Sequence, residues 1–477
     1  MKKVIFSIGV FCFFSIFIVG VKHSVTLASA ISETRAYIDP NANTTMVPLR
    51  FVSQELGASV EWQGETRRII IKDGATTITL TIGSRAANVN GKNEQLLTNP
   101  VIVGSSTYVP IRFVSEILKA QVDWLPETRT VRILKGSKEI NLYVPRGEST
   151  STFTRVINVN GQSINVNVVK VDLSDPNRKL EVALAHNRVG AVESLEDIAK
   201  RNQALAAVNG TFFDAYTDIK EPYGVIVSKG EVVHIGREKS VFGFNKNNEV
   251  KIDVLNPSIS GRVGLGDRTS NEWYAFWLNR TPSKGVDSAN IFTKERGSQV
   301  GFNYGTNVVV TDGKVSTITT GNSSIPSTGF VINFQGATRN SLLNRFSIGT
   351  PVSYQVKMNP KVTADDNFWN NVQGAVAAGP RLVQEGKISV RTVEEGFTQD
   401  NILRQAATRS AIGVTKDNYL LIVTTPRATM NQMGVVMHQL GAVNAMNLDG
   451  GASSGLYYNG KYLSTPGRQI SNAILIK

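Results

Sequence analysis

One stretch of the chain occurs twice, and this limits its first part more than any other feature. Residues 46–73 read MVPLRFVSQELGASVEWQGETRRIIIKD, and residues 108–135 read YVPIRFVSEILKAQVDWLPETRTVRILK, at a constant offset of 62. Val47/Val109, Pro48/Pro110, Arg50/Arg112, Phe51/Phe113, Trp62/Trp124 and Arg67/Arg129 coincide without a gap. Such a duplication is one supersecondary unit made twice. Each copy predicts a short amphipathic helix with Pro in its first turn. A Val-Glu/Asp-Trp strand, a Glu-Thr-Arg turn and a second strand follow. Phe51, Phe113, Trp62 and Trp124 are expected in the core.

A chain of 477 residues is too long for one ordinary core and calls for two or three domains. Lys2 and Lys3 precede an uncharged apolar run over 4–21, and Ala28-Ser29-Ala30 supplies a small-x-small cleavage pattern. Residues 1–30 therefore read as a secretory signal, and the protein as extracellular and cell-wall associated. An 18-residue apolar run also has the length of an uncleaved membrane anchor. Cleavage removes three lysines and no acid, taking the formal charge from +13 to +10. It also removes Cys12, the only cysteine, so neither a disulfide-linked partner nor a thiolate metal site is expected. The basic balance favours anionic partners such as wall polymers. Without clustered Lys/Arg interleaved with aromatics, nucleic acid is not expected.

Residues 36–144 form the duplicated module, and the Pro/Gly/Ser/Thr-rich stretch 145–152 reads as its linker. Residues 153–477 then mix strands such as 162–171 with helices. Ser194 and Asp197 have capping-box spacing ahead of one helix. Met430, Met433, Met437 and Leu440 form a core-facing stripe on another, which Gly441 ends. His438 beside that stripe is expected to face solvent. The fold class is α+β: a small β-rich module with short helices, then a larger domain with mixed sheets.

The chemistry concentrates in NLDGGASSG, residues 447–455. Its GASSG has the spacing of a serine hydrolase elbow, but an elbow nucleophile needs an acid and a histidine downstream. No Asp, Glu or His follows Ser453, and the next residues read as a hairpin turning at Asn459-Gly460. Asp449 is the better candidate. It ends an apolar strand over 442–448, and Gly450 and Gly451 let backbone N–H groups approach an anion. AVNGTFFD, residues 207–214, has the same design. AAGPRLV (377–383), TRSAIG (408–413) and PGRQISN (466–472) are further strand-edge clusters. Arginine beside glycine-rich turns suits phosphate or carboxylate.

In this order, NGTFF, GPRLV, ATRSAIGVT, GAVNAMNLDGGASSG and GRQISNAILI resemble the phosphodiester glycosidase family from about residue 154 onward. Residues 37–144 resemble the copper-amine-oxidase-like N-terminal "stalk" domain. None of the four histidines lies in the stalk, so no copper or other metal is expected there, and no cofactor in the chain. The glycosidase resemblance implies hydrolysis of the bond between a sugar anomeric carbon and a phosphodiester. It implies Asp449 as principal carboxylate and Asp214 or Glu221 as the second. Asn209, Ser453 and Ser454 would bond sugar hydroxyls beside Gly450 and Gly451, while Arg409 and Arg468 would hold the phosphate. Many members carry Asp-Gly-Arg where this chain has Thr425-Pro426-Arg427, so that acid has no counterpart here. The alternative is a non-catalytic module that binds wall polymer or glycan.

Overall fold

The structure, a computed structural model, describes residues 36–39, 42–103, 106–126, 128–145, 149–237, 240–265 and 271–477. The expected signal at 1–30, with Cys12, lies outside them. No helix among the described residues is long and apolar enough to cross a membrane. The described chain forms two compact units, one from Pro48–Asp123 with Arg132–Leu142, the other from the remainder.

In the first unit the duplication appears as helices Leu49–Glu55 and Ile111–Ile117, again 62 apart. Leu49, Val52 and Leu56 in one copy and Ile111, Val114 and Leu118 in the other are at most 3% exposed. That spacing is one apolar helical stripe. An antiparallel five-stranded sheet follows in chain order, from Ser59–Gln63 through Arg68–Asp73, Thr76–Thr81 and Ala86–Val89 to Lys92–Gln95.

The repeat's aromatics are not core residues, which corrects the reading from sequence. Trp62 is 41% and Trp124 43% exposed, and Phe51 and Phe113 are only half-buried. Trp62 stands on an edge strand directly opposite Ile69. A core-facing side chain there has a neighbouring strand on one side only, so Ile69 is buried while the outer indole face stays open. The smaller aliphatic residues fill the core instead. The Arg129 guanidinium lies 5.7 Å from the ring centre of Trp124.

A seven-stranded sheet dominates the second unit. Its order is Thr150–Val159, Gln162–Asp172, Tyr419–Ala428, Ala407–Thr415, Ala442–Asn447, Arg381–Gln384 and Lys387–Ile388. Alternation of side chains gives it two apolar faces. Val168, Ala411, Leu421, Val423 and Ala445 pack beneath helix Met430–Gln439, which contributes Met430, Met433, Val436 and Met437. Thr429 and Gln432 close that helix with a capping box, and His438 is exposed, as expected. On the other face Val169, Ile412, Ile422 and Met446 join a core shared with Val208, Phe242, Val376 and Ile474. Two five-stranded sheets supply those partners. One runs Leu180–Leu184, Asn472–Ile476, Ala206–Asn209, Leu456–Tyr458, Lys461–Ser464, and the other is centred on Gly374–Ala378. The Asn459-Gly460 turn adopts positive φ at both residues, as its hairpin predicts.

Candidate active site

Sheet packing brings the ends of strands Ala442–Asn447 and Ala206–Asn209 together, and with them the motifs separated in sequence. Asp449 N donates to Gly210 O at 2.9 Å, and Asn209 Nδ2 donates to Asp449 O at 2.7 Å. Ser410 Oγ and Gly455 N both donate to Asn209 Oδ1, at 2.8 and 3.0 Å. Leu448 N reaches Ser410 O, and Asn447 exchanges backbone bonds with Gly379 and Pro380. From the last motif, Asn472 Oδ1 accepts from Thr211 N at 3.1 Å, and Gly467 N donates to Ala452 O at 2.7 Å. Gly210 has to be glycine here, since a Cβ would collide with Asn472 Oδ1. Gly451, at φ +59°, occupies the left-handed region.

These bonds frame a cavity of about 300 Å³. Asp449, Gly450, Gly451, Ser453 and Arg409 give it a polar side, while Phe212, Phe213, Tyr216, Tyr223 and Phe397 form an aromatic wall. Arg468, Gln399, Asn401, Ile402, Ala407 and Ala452 complete the lining. Burial pushes the Asp449 carboxyl up to about 7, against the opposing pull of Ser453, the Gly450 N–H and the Arg468 charge. Gly450 N donates to Asp449 Oδ1 at 2.9 Å. Ser453 bonds the Asp449 carboxylate, and among the described residues no histidine lines the cavity, so Ser453 has no base of the hydrolase kind.

Arg409 is 2% exposed. Its Nε and Nη2 donate to the carbonyls of Ala428, Asn401 and Gln405, at 3.0, 2.5 and 2.8 Å. Its Nη1 faces Gly450, from whose added Cβ it would stand 3.4 Å away. Carbonyls hold this cation in place without neutralising it, and burial draws its pKa below the usual arginine value. Arg468 lies with its guanidinium 5.6 Å from the ring centre of Tyr216, which is 89% exposed. One cation is therefore fixed and the other sits at the solvent side.

Other expected residues are placed differently. Asn209 is 1% exposed, spends its whole amide on bracing, and does not line the cavity. Ser454 Oγ is buried without a hydrogen-bond partner among the described residues and does not line it either. Asp214 and Glu221 line a separate hollow with Arg280, touching the first only through Tyr223, which lines both. Glu221 Oε1 accepts from Arg296 Nη1 at 2.5 Å and from Thr281 N at 2.9 Å. Burial pushes the Glu221 carboxyl up, but the Arg296 charge and the Thr281 bonds outweigh it and hold it below the usual range. The aromatic wall was not foreseen, although the paired Phe of NGTFF was its one visible signal. Replacing Asn209 by Ala strips partners from Asp449 O, Ser410 Oγ and Gly455 N. Each group left unpaired costs about 1–3 kcal/mol. Denaturant unfolding should register a loss of at least the cost of one such group, with turnover falling further than the residual stability explains.

Two family models match the chain: the copper amine oxidase N-terminal domain over residues 28–133 and phosphodiester glycosidase over residues 304–477. The second begins after Asn209, Asp214 and Glu221 and includes Arg409, Asp449, Ser453 and Arg468. A Brevibacillus choshinensis protein described as a protease inhibitor is 32% identical over 108 residues, 23% of this chain. The chain spans about a third of that relative's length. A hypothetical protein from Synechocystis has a similar fold, with TM-score 0.61 and 17% identity over 93% of this chain and 98% of its own. A Burkholderia pseudomallei protein described as exported superposes with TM-score 0.54 and 21% identity, covering 66% of this chain and 74% of its own. The catalytic domain of zebrafish N-acetylglucosamine-1-phosphodiester α-N-acetylglucosaminidase aligns at TM-score 0.38 and 16% identity, covering 69% and 82%.

Proposed function

We propose that the second unit is a hydrolase that splits the bond between a sugar anomeric carbon and a phosphodiester, acting outside the cell on envelope or capsular glycans. One observation carries the reading: a single cavity holds the Asp449 carboxyl together with two guanidinium groups, Arg409 and Arg468. The phosphomonoester that departs is already a good leaving group, so its protonation matters less than stabilising positive charge on the sugar ring. Asp449 stands on the side of the anomeric carbon, as nucleophile or as base to a water. Arg409, held by three carbonyls, supplies a preorganised positive charge for the departing phosphate. Arg468 approaches from the Tyr216 side. The aromatic wall offers apolar faces to the sugar ring or its aglycone.

A cavity of about 300 Å³ suits one sugar with its phosphate, and polymer beyond it must run over the surface. The formal charge of +13 and the signal-like N-terminus support an anionic glycan outside the membrane. One feature favours a second reading, a glycan-binding module without turnover: Asp449 is the one carboxylate lining the cavity among the described residues. Incubation with a sugar 1-phosphodiester separates the two. Free sugar and a phosphomonoester are the expected products; tight binding with no product over many hours would instead identify the binding module.

A further inference from the structure

A cavity of about 820 Å³ shares no lining residue with that of Asp449. It lies on a three-stranded antiparallel sheet in the order Glu272–Ala275, Ser258–Val263, Val352–Lys357. Register puts its polar residues in rows. Tyr274 pairs with Ser260 and Ser260 with Gln355, while Glu272 pairs with Arg262 and Arg262 with Ser353. Partners opposite each other point to one face of a sheet. Tyr274 is 45% exposed and meets the 42%-exposed Phe276 edge-on, with ring centres 5.6 Å apart. Arg345 Nη1 donates to the Glu272 carbonyl, which leans the guanidinium over the same cavity. The central strand carries no side chain at Gly261, where a Cβ would collide with the Trp273 indole. Trp273 is itself 2% exposed, and its indole N–H has no partner among the described residues.

We propose that this face is a second, non-catalytic docking site for an anionic glycan chain. An open aromatic ledge suits the apolar face of a sugar ring. The Ser260 hydroxyl and Gln355 amide match sugar hydroxyls in donor and acceptor character. Among the described lining groups, Arg262 and Glu272 pair at 3.5 Å, and Arg345 adds a further positive charge. A guanidinium recognises phosphate and carboxylate alike. A neutral glycan would leave that charge unused, and an apolar partner would bury the polar rows without bonds.

The test uses the full chain and its binding, not its turnover, so it stands or falls separately from the assignment of Asp449. Titration calorimetry would compare a glucosylated poly(glycerol phosphate) teichoic acid, polygalacturonate and neutral dextran. Tyr274→Ala and Arg345→Ala serve as variants, since both residues reach solvent and neither lines the Asp449 cavity. Binding of either polyanion, weakened tenfold or more in both variants, is the expected result. Which polyanion binds tells phosphate from carboxylate. Turnover of a small soluble sugar 1-phosphodiester should stay within twofold of the parent. Equal binding of dextran, binding retained in both variants, or no binding of either polyanion overturns the proposal. A variant that no longer melts like the parent is replaced by Gln355→Ala, which is held to the same outcomes.

Discussion

Asp449→Asn should abolish most turnover on a sugar 1-phosphodiester, a fall of several orders of magnitude, while ground-state binding changes little. The substitution keeps the size of the side chain and its bond with Ser453, and removes only the charge. A carboxylate that stabilises an oxocarbenium-like transition state contributes there and not in the Michaelis complex, so the loss appears in kcat. Ser453→Ala is the informative companion. It removes one hydroxyl from a buried site and should cost about 1–3 kcal/mol of transition-state stabilisation. A serine nucleophile predicts the opposite ranking, with Ser453→Ala inactive and Asp449→Asn merely impaired. Steady-state kinetics of both variants on one substrate, after matched thermal melts, distinguishes the two schemes.

A second large effect concerns pH. Turnover should rise with an apparent pKa near 7, because the ionised form of Asp449 does the work and burial delays its ionisation. Stability should move the other way. The native carboxyl keeps its proton up to about 7, whereas in an unfolded chain it loses it near 3.8. Between those values the native state binds more protons, so stability falls as pH rises through the window and levels off above it. A tenfold difference in proton affinity is worth about 1.4 kcal/mol, which makes the drop a few kcal/mol in all. Glu193 and Glu221, held below their usual values, lose their contributions only at the acid end. Denaturant unfolding at stepped pH, parent minus Asp449→Asn, isolates the contribution of Asp449. Identical pH slopes for the two proteins would contradict the assignment.

What the sequence made readable was local. The cap at Ser194, the methionine stripe and the Asn459-Gly460 turn all depend on neighbours a few residues away, and the 62-residue offset needs only the sequence laid against itself. Asp449 was visible for the same reason, as an acid between an apolar strand and two glycines. Long-range partners were not visible. Glu221 looks like a free acid in sequence, but Arg296, 75 residues on, takes it into an ion pair of 2.5 Å. Asn209 looks like a ligand-binding amide, yet its bonds go to groups 201 to 246 residues away. Trp62 and Trp124 misled in another way. Hydrophobic character marks a residue for burial, but whether a strand position is covered depends on what packs beside it.

The strand Asn472–Ile476 comes late in the sequence, yet it lies inside its sheet, between Leu180–Leu184 and Ala206–Asn209. It also anchors the turn that positions Asp449: Gly210 N and Thr211 N are both held by Asn472, and Gly210 O receives Asp449 N. A ribosome that has finished residue 460 has made every group proposed for catalysis except Arg468, but the turn bonded to Asp449 still lacks its Asn472 anchor. Until residue 476 emerges, the two flanking strands have an open edge, and pairing across such sequence distances is intrinsically slow. The protein is therefore made as a long chain that must wait for residues 472–476 before it can close. That interval leaves its unpaired edges open to proteases. A stop codon at or just before residue 472 should yield no active product at all.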